Sequence, residues 1–240
     1  MLRAVTAVVL FACTSAQAGV IYHFRTVAAG PHGSSETSGR VWTEGDRYRV
    51  ELDPSAVPRP YDIAISHDAD LTATQISLSN KTIFDRPRST ATRSSMLFHM
   101  PSPGALVQGK PRVRHRIAGR ETIAGRETTK HVVDIDYELF DQWDDAPVRG
   151  KVHATVSMWT AAGLKPLPFR RSIQTGFAHV DREIVKVFEK IHGMTLKHEL
   201  TVSRTLENGP TQTETVSTVI DELEVTEILP AVFEVPTGFR

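Results

Sequence analysis

From residue 19 onward, apolar and polar positions alternate with a period of two, the pattern of strands that keep one face dry and the other wet. In 19–28, Val20, Tyr22 and Phe24 stand against Ile21, His23 and Arg25. Residues 40–43 and 47–52 continue the pattern on either side of Glu44-Gly45-Asp46, with Tyr48, Val50 and Leu52 facing one way and Arg47, Arg49 and Glu51 the other. Two alternating runs joined by a glycine-containing turn predict a hairpin. Shorter strands follow at 62–67, 72–78 and 82–85, after a loop that holds three prolines between 53 and 60.

From 86 to 110 the alternation stops. This stretch is rich in Ser, Thr, Arg and Pro and carries one apolar island, Met96-Leu97-Phe98-His99-Met100. Such a connection is either a lid or a disordered loop. The period of two returns over 112–140 and is strongest over 148–159, where Val152, Ala154, Val156 and Met158 oppose Lys151, His153, Thr155 and Ser157. A proline-broken link at 164–168 leads to an extended piece near 170–177. The period changes in only one place: Ile184, Val187, Phe188 and Ile191 recur at helical spacing over 181–193, with Asp181 as the expected N-cap and Gly193 as the expected end. Strands over 195–206 and 211–228 flank Asn208-Gly209-Pro210. About ten antiparallel strands and one helix call for a large curved sheet or barrel.

Residues 117–128 read IAGRETIAGRET, one hexapeptide twice in succession. Copies six residues apart would show the same face of an extended strand. No longer repeat recurs at a solenoid period. The segment predicts a strand over 112–118 and a turn at Ala124-Gly125-Arg126, with Gly125 at positive φ, sending the chain back over 129–139.

Composition narrows the function classes. The 28 basic and 28 acidic residues balance, and 40% of the chain is hydrophobic. That is a globular profile without the basic face a nucleic-acid partner needs. At the start, Arg3, the apolar run 4–12 and Ala16-Gln17-Ala18 form the pattern of a secretory signal peptide cleaved after Ala18. The expected organisation is therefore a signal peptide over 1–18 and one β-domain over 19–240. The only cysteine, Cys13, lies inside the signal, so the mature chain has no disulfide and depends on its core. Leu10-Phe11-Ala12-Cys13 also resembles a lipobox, which would anchor an outer-membrane lipoprotein through Cys13.

Specific chemistry is sparse. The ten histidines include no metal-ligand spacing, although His131 and His153 could meet across paired strands. Asp134 and Asp136 share a strand face and Asp144-Asp145 sits in a polar turn, but carboxylates on the wet side of a strand are ordinary. No nucleophile elbow or phosphate loop occurs. The expectation is no enzyme, no cofactor and no metal. Abundant strands, a single amphipathic helix and a methionine-bearing island favour an apolar pocket instead.

Three segments carry a resemblance. These are Gly39-Arg40-Val41-Trp42 with Asp46-Arg47-Tyr48-Arg49-Val50, the central Glu121-Thr122-Ile123-Ala124-Gly125, and the closing Pro230-Ala231-Val232-Phe233-Glu234-Val235-Pro236-Thr237-Gly238-Phe239. Together they resemble the LolA/LolB-like superfamily of bacterial envelope proteins. The resemblance implies a mainly β fold, an incomplete antiparallel β-barrel wrapped around one or two helices with a hydrophobic cavity. It also implies a periplasmic location and carriage of lipoprotein acyl chains or sensing of envelope components. The expected function is binding of an apolar ligand, a lipid or acyl chain, in a cavity lined by Trp42, Tyr48, Ile76, Met96, Phe98, Met158 and Trp159. A monomer with an envelope protein partner is expected. The alternative is a lipid-anchored or structural envelope protein that transports nothing.

Overall fold

The computed structural model describes residues 18–31, 33–55, 59–67, 72–87, 105–143, 146–164, 175–207 and 209–239. Its strands are β1 (Gly19–Gly30), β2 (Gly33–Glu44), β3 (Arg47–Leu52), β4 (Ile63–Ser66), β5 (Thr72–Ser77), β6 (Thr82–Pro87), β7 (Leu106–Ile123), β8 (Arg126–Trp143), β9 (Ala146–Ala161), β10 (Met194–Leu206) and β11 (Thr211–Thr226). Among the described residues, one α-helix, α1 (Ala178–Phe188), precedes β10, and a 3₁₀ turn (Pro230–Phe233) follows β11.

The eleven strands form one antiparallel sheet in the order β6-β5-β4-β3-β2-β1-β11-β10-β9-β8-β7. Neighbours in space are mostly neighbours in sequence, with one long-range closure: β1 pairs with β11, Gly19 opposite Thr226. The sheet does not close, because β6 and β7 end the order at its two edges. This is the incomplete antiparallel barrel expected from the sequence.

Several boundaries move. β2 begins at Gly33, well before the alternating stretch at 40, because Gly33 to Ser38 pair residue by residue with Arg25 to Gly30 of β1. These polar residues carry no hydrophobic signal, and the ladder alone holds them extended. β7 begins at Leu106 rather than 112 and is interrupted by two register shifts, one between Gln108 and Arg112 and one between Ile117 and Gly119. Those bulges hide the period from the sequence. The turn between β7 and β8 is the one expected, with Ala124 at φ 46 and Gly125 at φ 70. Two consecutive positive φ values are those of a type I′ hairpin.

α1 is three residues longer at its start than its period suggests, and Phe177, not Asp181, is the N-cap residue. Asp181 lies in the first turn, where its carboxylate accepts hydrogen bonds from the Thr175 N–H and hydroxyl, both at 2.7 Å. It ties the incoming chain to the helix. The helix ends at Phe188, and Gly193, at φ +93, serves the re-entry into β10. A Cβ there would lie 2.3 Å from the Ala161 carbonyl oxygen.

The core falls into three apolar clusters. The largest packs Val180, Ile184, Phe188 and Ile191 against Val133, Ile135, Tyr137, Val152, Ala154, Val156, Met158 and Leu200. Direct pairing puts Val133, Val156 and Leu200 on one face, the face that α1 covers. A second gathers Tyr22, Val41, Ile123, Trp159, Ala161, Met194, Leu196 and Ile220. The third joins Ile63, Ile65 and Ile76 with Phe239. Near it the closing segment docks on β3: the Arg47 guanidinium lies 4.6 Å from the Phe233 ring centroid, and Arg49 donates to the Val232 carbonyl at 3.0 Å.

Candidate functional site

Because opposed residues of antiparallel strands share a face, register assigns side chains to surfaces. Across β11, β1, β2 and β3, Leu223, Tyr22, Val41 and Val50 form one apolar row. Phe24 and Ile220 form the next. Tyr22 and Val41 are buried, whereas Val20, Phe24, Val50 and Leu223 are only partly so. These rows lie on the same face as the α1 cluster, since Val216 and Leu200 are paired partners. No residue of α1 belongs to this second cluster. Burial pushes the Tyr22 hydroxyl far above its ordinary pKa, so the phenol stays neutral.

The residues expected from sequence to line one cavity are dispersed. Trp42 stands opposite Ile21 and Arg49, while Tyr48, paired with Thr43 and Ser66, lies on the other face with Tyr22. Ile76 is fully buried in the third cluster. Met158 packs in the α1 cluster and its neighbour Trp159 in the second. Met96 and Phe98 lie outside the described residues, as do residues 1–17, read from sequence as a signal peptide, and Asp144-Asp145. Tyr22, Phe24, Val41 and Leu223 were not among the expected lining residues. The strands over 19–28, 40–52 and 211–228 carry them, but their sequences do not say which strands pair.

Trp159 has an unusual environment. Its directly opposed neighbours Lys130 and Lys197 place their ammonium groups 4.4 and 4.3 Å from the indole centroid. The ring is 2% exposed and its Nε1 has no acceptor among the described residues.

Three polar constellations stand out. In the first, His23 of β1 donates from Nδ1 to Asp221 at 2.8 Å and from Nε2 to Asp53 at 3.0 Å. The Asp53 bond, then the Asp221 bond, raise the imidazole above its ordinary pKa. The Ser38 hydrogen bond, then the one from His23, hold Asp53 below the usual carboxylate range. In the second, Asp134 and Asp136 share a face as expected: Thr155 donates to Asp134 at 2.9 Å, and Asp136 binds His153 at 2.7 Å and Arg114 at 3.1 Å. Desolvation alone would raise Asp136, but the His153 and Arg114 contacts outweigh it and lower the pKa. These carboxylates brace three strands.

In the third, His131 meets His115, and not His153 as its position suggested. His131 is opposite Met158, whereas His153 is opposite Asp136 on the other face. His115 Nε2 and His131 Nδ1 are 3.0 Å apart. Among the described residues, no group of three or more His, Cys, Asp or Glu is placed to hold a metal ion, and no helix is long and apolar enough to cross a membrane.

No family model matches the sequence, and no curated protein matches it. Among solved structures, the chain is similar to a LolA superfamily protein of Nitrosomonas europaea, at 9% identity and a TM-score of 0.35, covering 91% of each chain. It is similar to a domain described as belonging to an outer membrane lipoprotein-sorting protein of Vibrio parahaemolyticus, at 10% identity and a TM-score of 0.34, covering 92% of this chain and 91% of that one. It is also similar to a DUF1329 family protein of Desulfovibrio piger, at 6% identity and a TM-score of 0.34, with the same coverage. At this distance the likeness is faint, and the fold rests on the strand order and register of the chain itself.

Proposed function

We propose that this chain is an exported, non-enzymatic envelope protein that binds an apolar ligand, a lipid or a lipoprotein acyl chain, against its open sheet. The observation that supports this reading is the apolar face of β11, β1, β2 and β3, where Val20, Phe24, Val50 and Leu223 are half-buried and α1 packs elsewhere. Tyr48, from the set expected to line the cavity, borders that face. Met96 and Phe98, from the same expected set, belong to the proposal as ligand contacts. Export with cleavage after Ala18, and a monomeric state, belong to the same proposal.

Affinity would come from burying methylenes, at about 0.8 kcal/mol each. Lengthening a bound acyl chain by two methylenes should therefore tighten it about tenfold until the face is filled. The test is uptake of fluorescent fatty acids of graded length, followed by native mass spectrometry of the purified protein. Uptake that grows with chain length and is lost in Phe24→Glu supports the reading. Absence of uptake at every length, in protein that arrives lipid-free, refutes it.

A further inference from the structure

Given an apolar ligand on the open sheet, a reading on which this step rests, we infer that Gln75 of β5 receives the ligand's polar end. The site then selects a neutral lipid whose head donates a hydrogen bond, a hydroxyl or an amide N–H. The observation behind this is an orphaned acceptor. Gln75 is 2% exposed, and its side-chain oxygen Oε1 has no donor among the described residues. A buried polar atom left unpaired carries its desolvation cost in full, so it calls for a partner that the chain does not supply.

Register places this side chain at the end of the apolar row. Leu223, Tyr22, Val41 and Val50 stand opposite one another in turn across β11, β1, β2 and β3. The same row continues from Val50 to Ala64 of β4, then to Gln75, then to Phe84 of β6. Ile63, Ile65 and Ile76 belong to the other face, where Phe239 packs. Gln75 therefore shares the face of Val50 and Tyr22. Ser77, two residues on, shares that face as well, but its hydroxyl is engaged by Ser79 at 3.2 Å. Ala64, the smallest side chain of the row, stands directly beside Gln75.

The chemistry of the row sets the class of head group. None of its seven residues carries a charge. A carbonyl oxygen accepts and cannot donate, so a hydroxyl or an amide N–H satisfies it. A carboxylate brings only acceptors and sets oxygen against oxygen. The dimensions agree with a lipid chain. Neighbouring strands lie about 4.8 Å apart, which puts Gln75 about 14 Å from Val41 and about 19 Å from Tyr22 along the row. The hydrocarbon of one bilayer leaflet is about 15 Å deep. A chain with its head at Gln75 thus passes Ala64 and Val50 and ends near Val41 and Tyr22.

The experiment uses the purified full chain, stripped of lipid, and four probes of one chain length: 1-dodecanol, lauramide, methyl laurate and laurate. Each competes with a bound fluorescent fatty acid. Dodecanol and lauramide should bind about tenfold tighter than methyl laurate, which has the chain and no donor. Laurate should bind no tighter than the ester. Gln75→Leu removes the acceptor at similar volume, so dodecanol and lauramide should fall to the level of methyl laurate, whose affinity should hold. A glutamine with a purely structural role would instead weaken all four probes alike, and that result overturns the inference. If the variant does not fold, the ranking of heads on the unaltered chain decides alone. Equal affinity for all four heads shows that Gln75 holds an ordered water only; it overturns the inference and leaves the apolar-ligand reading standing. A preference for laurate also overturns it, because the amide N–H would then face the ligand. Uptake of none of the probes, the fluorescent fatty acid included, defeats the apolar-ligand reading itself.

Discussion

His23 sits at the seam of the sheet, on the strand that joins the N-terminal strands to β11. Its ring reaches Asp221, at the bulge of β11, on one side and Asp53, just beyond β3, on the other. Both ring nitrogens donate, which only the imidazolium can do. The groups around it on the same face, Arg40 with Glu222 at 3.8 Å and Arg25 with Glu36 at 2.7 Å, are paired with each other. Hydrogen bonds to charged partners contribute about 1.5–3 kcal/mol each when shielded. Here the carboxylates are 44% and 48% exposed, so solvent screening reduces the two together to about 1–2 kcal/mol. Because the folded-state pKa is raised, this stability is fully present below the unfolded value of about 6.5 and disappears as pH rises through the folded value. Asp53, whose pKa is lowered, keeps its charge well into acid.

Replacing His23 with Gln should therefore cost about 1–2 kcal/mol near pH 5.5, or about 2–8 °C in Tm for a chain of this size, and less than about 0.5 kcal/mol near pH 8.5. Urea unfolding of both proteins across that range measures the difference. A gap that is flat with pH, or that grows toward alkaline pH, would show that the two carboxylates do not hold an imidazolium.

Other substitutions probe the fold. Ile184→Ala empties a fully buried site between α1 and the sheet and should cost about 2–5 kcal/mol in chemical unfolding. Asp181→Ala leaves the buried Thr175 N–H and hydroxyl without their acceptor and should cost about 1–3 kcal/mol, with Asp181→Asn distinctly milder because its amide oxygen still accepts. At the β7–β8 turn, Gly125→Val should destabilise by about 1–2 kcal/mol. Ala124→Gly, which relieves an alanine at φ 46, should raise Tm slightly.

The local grammar of this chain was legible because side-chain direction alternates within three or four residues of any position. Val20, Tyr22 and Phe24 marked a strand, Ala124-Gly125 a hairpin turn, and Ile184, Val187 and Phe188 a helix, each in place, while Ile191 packs in the same cluster from beyond the helix end. Where the signal was local but wrong, as with Asp181 read as a cap, the residue was engaged by a partner outside the helix, Thr175. Residues 33–38 were missed because a ladder of backbone hydrogen bonds, which has no compositional signature, makes them a strand.

Which strands lie side by side was not legible. That depends on burying every apolar row at once, a condition that joins positions such as Gly19 and Thr226 at opposite ends of the chain. The polar sites follow from the same long-range choice. His23 reaches a carboxylate 198 positions away. His131, equally able on paper to meet His153, finds His115, because strand register sends His153 to the opposite face. Alternation is a property of neighbouring residues and can be read along the chain. Register and strand order are properties of the whole core, and only the folded sheet decides them.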